Sequence, residues 1–229
     1  MPNWCNNTNI FWTTKEYKDE LEGFFRFIKE QNAIERKDGL GLTWLADLLD
    51  ASGLQSDQYN CRGYLTYLSP SLTEKKGCIS FELDTDTAWR PMPAAMEALL
   101  TAYPHVYLSY AAEELGTGIF VTNDREGDFF TDVWHIECFL DGDEDTCQAV
   151  YQKYPLLVDL DADGEAYLTE EEGEELFQEL FQLQDIPETR RLEVLPQKVA
   201  DFQQRLKEEF PKLEDCILVY RKRKINRWI

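Results

Sequence analysis

The stretch Asp159-Leu160-Asp161-Ala162-Asp163-Gly164-Glu165-Ala166-Tyr167-Leu168-Thr169-Glu170 has the spacing of an EF-hand calcium loop. Such a loop takes carboxylates from positions 1, 3 and 5, a backbone carbonyl from 7 and a bidentate glutamate at 12, with glycine at 6 for the sharp turn. Here the ligands would be Asp159, Asp161, Asp163, the carbonyl of Glu165, and Glu170, with calcium as the cofactor. Two features oppose this reading. Pro155 lies four residues before Asp159, where an entering helix should be unbroken. Ala166 also takes a place usually filled by a β-branched or large apolar residue. A β-hairpin turning at 161–164, between strands at 156–160 and 166–168, fits the same residues and is the commoner outcome. Both readings stand at this point.

Other chemistry is sparse. The chain has two histidines. His105 follows a proline that ends a helix and should be exposed, while His135 lies beside Trp134 in a strand pattern. Cys138 is three residues from His135, so on a strand the two point to opposite faces and do not form a nucleophilic pair. Walker A, nucleophile-elbow and zinc-helix motifs are all missing. Gly116-Thr117-Gly118 lacks the third glycine of a dinucleotide loop and reads as a turn. An enzyme therefore ranks third, behind a binding protein and a calcium module.

The charge is more telling. Among 229 residues, 23 Lys and Arg face 44 Asp and Glu, a formal charge of −21. With 13% aromatics the chain is too rich in rings for a disordered acidic tail. Its field repels phosphates, which argues against direct nucleic-acid binding. Twelve acidic residues and no Lys or Arg lie in 159–188, whereas five basic residues fall in the last nine. The plain reading is a solvated helix face with a neutralising basic end. The functional reading is an acidic surface that engages a basic partner protein, in the manner of a DNA mimic. Glu171, Glu174, Glu175 and Glu179 are the candidate contacts, since they fall away from the apolar stripe Leu176/Phe177/Leu180/Phe181. Trp4 and Trp89 are read as caps of a core rather than recognition rings.

Five apolar stripes mark helices. Tyr17/Leu21/Phe24/Phe25/Ile28 predicts one over 16–31, and Met92/Met96/Leu99/Leu100/Tyr103 a second. Cys147/Val150/Tyr151/Tyr154, the stripe at 176–181, and Val199/Phe202/Leu206/Phe210 give three more. Alternating runs at 79–83, 106–110 and 134–140 predict strands, with weaker ones at 7–12, 64–68, 118–122 and 216–221. Leu42/Leu45/Leu48/Leu49 suggests a short helix within an insertion at 33–60. Strand, helix, two strands, helix, strand is the ferredoxin-like split βαβ order, an α+β class with a mostly antiparallel sheet and helices on one face. Phe25, Phe81, Leu99 and Leu108 should share its buried layer. Three predicted helices end in an aromatic and a proline, Tyr103-Pro104, Tyr154-Pro155 and Phe210-Pro211. This weak repeat suggests two related α+β halves, 1–125 and 128–229.

Pro2-Asn3-Trp4-Cys5-Asn6, Thr87-Ala88-Trp89-Arg90-Pro91-Met92-Pro93, Ala98–Pro104 and Glu113–Gly118 together resemble blocks of the YubB-type ferredoxin-like proteins of phages and plasmids. The likeness covers the first 125 residues or so. It departs at Asn60-Cys61-Arg62-Gly63-Tyr64, where that family shows W-G-T-K. The resemblance implies a ferredoxin-like fold and a mobile-element setting, and no activity. No secretory signal or membrane span is evident, and six cysteines without a C-x-x-C read as reduced thiols. The expectation is a cytoplasmic, non-enzymatic accessory protein that binds another protein.

Overall fold

The computed structural model describes residues 3–34, 42–75, 77–157, 165–183, 186 and 188–225. In chain order the elements are β1 (Trp4–Thr14), α1 (Lys18–Asn32), α2 (Leu45–Ala51), β2 (Gly63–Leu68), β3 (Thr73–Lys75), β4 (Cys78–Ala88), α3 (Pro93–Leu99), β5 (Tyr107–Glu114) and β6 (Ile119–Thr122). They continue with β7 (Trp134–Gly142), α4 (Glu144–Lys153), β8 (Glu165–Leu168), α5 (Glu170–Phe181), α6 (Glu188–Glu209), β9 (Leu213–Lys222) and β10 (Lys224–Ile225). The class is α+β, as expected. Contacts divide the chain into two units. The first runs to Phe129 and resumes at Lys224; the second is Phe130–Arg223.

In the first unit the strict alternation of β1 buries Cys5, Asn7, Asn9, Phe11 and Thr13 and turns the even-numbered residues outward. The sheet order is β10-β6-β5-β1-β4-β2, with β3 also on β4. Every pairing is antiparallel except β10 with β6. α1 delivers Leu21, Phe24 and Ile28 to the inner face, α2 Leu45, Leu48 and Leu49, and α3 Ala95, Met96 and Leu99. These meet Phe11, Ile79, Phe81 and Leu83 in one core, with Phe25 and Leu108 partly buried against it. The extra helix expected within 33–60 is α2.

One end of this inner face is polar. Asn7 Nδ2 donates to the Thr85 carbonyl at 2.9 Å and to Thr87 Oγ1 at 2.8 Å, and Asn9 Nδ2 donates to the Leu83 carbonyl at 2.9 Å. Without these bonds each buried amide would cost about 1–3 kcal/mol. Just beyond β4, Trp89 takes φ 72°. For a bulky side chain that left-handed backbone costs on the order of 1–3 kcal/mol.

The second unit has the sheet order β8-β7-β9, all antiparallel. Trp134, Ile136 and Cys138 from β7 pack with Phe177, Leu180 and Phe181 of α5 and with Val199, Phe202 and Leu206 of α6. α6 begins at Glu188, well before the Val199 stripe that predicted it, and contains Pro196. A proline in mid-sequence hides a helix that packing maintains, and buried Leu195 extends the stripe backward. The three aromatic-proline pairs do stop helices, and they share one turn. The carbonyls of Tyr103, Tyr154 and Phe210 accept the N–H of Val106 at 3.0 Å, Leu157 at 3.0 Å and Leu213 at 2.9 Å. All three acceptor turns return a buried apolar residue to a core.

Candidate functional site

Of the calcium ligands read from the sequence, Asp159, Asp161 and Asp163 lie outside the described residues. Glu165 opens β8, paired with Glu137 of β7. Glu170 is the first residue of α5, and its carboxylate pairs with Lys222 Nζ at 2.7 Å. Of the hairpin's expected first strand at 156–160, residues 156 and 157 fall in a 3-10 turn, Pro155–Leu157, and the rest is outside the described residues. Among the described residues no group of three His, Cys, Asp or Glu is placed to hold a metal.

Both histidines have structural company. His105 stacks on Tyr17 with ring centroids 3.8 Å apart, and its Nδ1 lies 2.6 Å from Glu20 Oε1. That bond holds the Glu20 carboxyl below its usual range. His135 is fully buried, packs on Tyr167, and has Arg221 Nη1 3.3 Å from its Nδ1. Cys138 faces the core on the other side of β7, as the odd spacing required. All six cysteines are free thiols.

The acidic helix face separates into two kinds of carboxylate. Thr169 caps α5: its hydroxyl accepts the Glu172 N–H at 3.3 Å, and Glu172 Oε2 accepts the Thr169 N–H at 2.8 Å. This reciprocal capping holds the Glu172 carboxyl below its ordinary value. Glu174 is half-buried and pairs with Arg191 Nη1 at 3.3 Å. Glu171, Glu175 and Glu179 are exposed at i, i+4 and i+8, and among the described residues none joins an ion pair. Three of the four candidate contacts thus form one open stripe, and Glu174 is neutralised within the unit. Gly173, between them, was not singled out by sequence reasoning. A Cβ there would meet the Trp134 ring at 2.3 Å, so the helix lies directly on that ring.

A second acidic surface went unread in the sequence. β4 turns Ile79, Phe81 and Leu83 inward, and the same alternation puts Glu82, Asp84 and Asp86 on the outer face of the first sheet. Register sets Ile10, Thr8 and Asn6 of β1 beside them on one side, and Tyr67 and Tyr64 of β2 beside Asp84 and Asp86 on the other. The Tyr64 hydroxyl donates to Asp86 Oδ2 at 3.1 Å, while the rings of Trp4 and Trp44 meet the Tyr64 ring edge-on at 5.2 and 5.6 Å. Burial, and then the negative charges of Glu82 and Asp86, push the Asp84 carboxyl from 3.8 up to about 6. Its Oδ1 is buried, with no hydrogen-bond partner among the described residues. Trp4 and Trp89 are 39% and 50% exposed, so neither caps a core as the sequence reading had it.

Among the described residues no helix is long and apolar enough to cross a membrane. No protein-family model matches the chain, and neither does any curated protein. A solved structure, the crystal structure of an unknown protein from Galdieria sulphuraria, aligns over 96% of this chain and 98% of its own at 9% identity. Its TM-score of 0.25 carries no argument about fold or function.

Proposed function

We propose that this chain is a non-enzymatic binding protein that docks a basic segment of a partner protein on the outer face of its first sheet. The observation that carries the reading is the Glu82–Asp84–Asp86 ladder. Same-face strand positions repeat every ~6.8 Å, so three carboxylates stand in a row, within reach of successive cations on an extended chain. Burial first, and then the charges of Glu82 and Asp86, raise the Asp84 carboxyl against a hydrogen bond from Thr8, and among the described residues no cation pairs with any of the three. Tyr67 and Trp4, both exposed beside the ladder, offer faces to lysine stems and guanidinium groups. The α5 stripe Glu171/Glu175/Glu179 adds to the field that steers such a partner. Free thiols support a reducing compartment, and we place the protein in the cytoplasm. A mobile-element accessory that mimics DNA phosphates is the form of this role that the sequence resemblance favours.

Titration with a fluorescent octalysine peptide tests it. Binding should weaken steeply between about 50 and 300 mM salt. The Glu82→Gln/Asp86→Asn variant should lose about tenfold in affinity, more than Glu171→Gln/Glu175→Gln/Glu179→Gln. An unchanged affinity in the β4 variant would overturn the reading.

A further inference from the structure

Elsewhere in the first unit a pocket of about 610 Å³ opens among Asn60 and Arg62 before β2, Trp89 and Arg90 after β4, and Met92 at the start of α3. No Asp or Glu lines the pocket, although the chain has 44 of them. Among the described residues neither Arg62 nor Arg90 joins an ion pair, a state they share with Arg26, Arg125 and Arg205, while Arg190, Arg191, Arg221 and Arg223 each have a carboxylate partner.

The backbone around these arginines is fixed from several sides. The Trp89 N–H donates to the Asn3 carbonyl at 2.9 Å, and the Ala88 N–H to the Arg62 carbonyl at 2.8 Å. The Thr87 hydroxyl donates to the Arg90 carbonyl at 2.8 Å and accepts from buried Asn7 at 2.8 Å. The Arg62 N–H points to Met92 Sδ at 3.4 Å. Two non-glycine residues in left-handed backbone, Asn60 at φ 47° and Trp89 at φ 72°, line this one pocket. Such conformations persist where surrounding bonds over-determine them, and they cluster at ligand sites. Here Trp89, 50% exposed, shares the pocket lining with exposed Arg62 and Arg90.

The chemistry that fits is a planar ring carrying a compact anion. An exposed tryptophan stacks on any aromatic base, and paired arginines match the oxygens of a phosphate. The volume suits one small molecule. A polyanion would meet the repulsion of a −21 chain, which a single phosphate largely escapes. We propose that this pocket binds a nucleoside monophosphate, its base on Trp89 and its phosphate between Arg62 and Arg90. The proposal is independent of the acidic sheet face.

Calorimetric titration of the intact protein with AMP, GMP, CMP and UMP tests it, with adenosine, inorganic phosphate and a 12-residue single-stranded oligonucleotide as separate arms. At least one monophosphate should bind. Adenosine and phosphate alone should each bind about tenfold more weakly or worse, because each lacks half the recognition. The exposed pair Arg62→Gln/Arg90→Gln should lose about tenfold in affinity at unchanged melting temperature. Trp89→Gly relieves the left-handed strain, so it should fold at least as stably yet lose binding. No heat with any monophosphate overturns the proposal, as does affinity unchanged in both variants. Tighter binding of the oligonucleotide than of its monomers would also overturn it.

Discussion

Two acidic surfaces on this chain treat the same functional group in opposite ways. On α5 the helix absorbs three of its six carboxylates: Glu172 closes a capping box, Glu170 meets Lys222, and Glu174 meets Arg191. On β4 only hydroxyls meet them among the described residues, Tyr64 on Asp86 and Thr8 on Asp84, and Asp84 shares one face with Glu82 and Asp86 beside tyrosine rings. The cap holds the Glu172 carboxyl below its usual value, whereas burial first, and then the charges of Glu82 and Asp86, push Asp84 up to about 6. A helix end offers free N–H groups and a favourable dipole to acidic residues, while a strand interior has spent its amides on the ladder. The richer run of glutamates is therefore the less frustrated one. Counting charges along a sequence finds the first surface; only register finds the second.

The largest effect should come from testing how α5 is seated. Gly173→Ala puts a methyl into the Trp134 ring, and both groups are buried. Urea denaturation should show a loss of about 1–3 kcal/mol, the overpacking range, with weakened near-ultraviolet ellipticity. A loss below about 0.5 kcal/mol would mean that α5 shifts freely and that its acidic stripe is not rigidly presented.

Next comes the frustration on β4. The folded-state value of Asp84 lies above its unfolded value near 3.8, so ionising it opposes folding. Its favourable contribution is complete below pH 3.8 and is lost as pH rises through about 6. Asp84→Asn should therefore raise stability at pH 7.5 by about 1–2 kcal/mol, allowing for solvent screening at a half-buried site, and give no gain near pH 3.5. An equal gain at both pH values would remove buried charge as the cause.

The smallest effect sharpens the contrast. Neutralising Glu171, Glu175 and Glu179 to glutamine relieves i, i+4 repulsion without touching the cap or either ion pair. Stability should stay level or rise within about 0.5 kcal/mol. A clear loss by thermal melting would place these carboxylates in a structural network.

Local spacing made most elements legible. The stripes at 21–28 and 176–181, the alternation at 79–83 and 134–140, and the aromatic-proline stops all describe contacts within one or two turns or along one strand. What escaped depends on partners distant in the chain. Glu170 and Lys222 are 52 residues apart, and Tyr64 reaches Asp86 only because β2 pairs with β4. The outer face of β4 was equally present in the alternation, since Ser80, Glu82, Asp84 and Asp86 are the intervening letters. It was overlooked because apolar positions announce a core, while half-buried carboxylates announce nothing until their neighbours are known. The start of α6 was hidden by Pro196, whose cost is met by packing at Leu195 and Val199.

The strand that closes the first sheet has a consequence for synthesis. β10 covers the edge of β6, yet it follows β6 by about 100 residues, the whole second unit lying between them. A ribosome adding about 5–20 residues per second leaves that edge unpaired for roughly 5–20 s. During that interval the amide and carbonyl groups of Ile119–Thr122 are a template for any passing extended chain. The second unit can meanwhile bring its ends together, since Trp134 pairs with Lys222 and the Arg223 N–H reaches the Val133 carbonyl at 2.7 Å. Lys224 and Ile225, the next residues made, pair with that edge. Nascent chains arrested before residue 224 should accordingly aggregate more readily than the released protein.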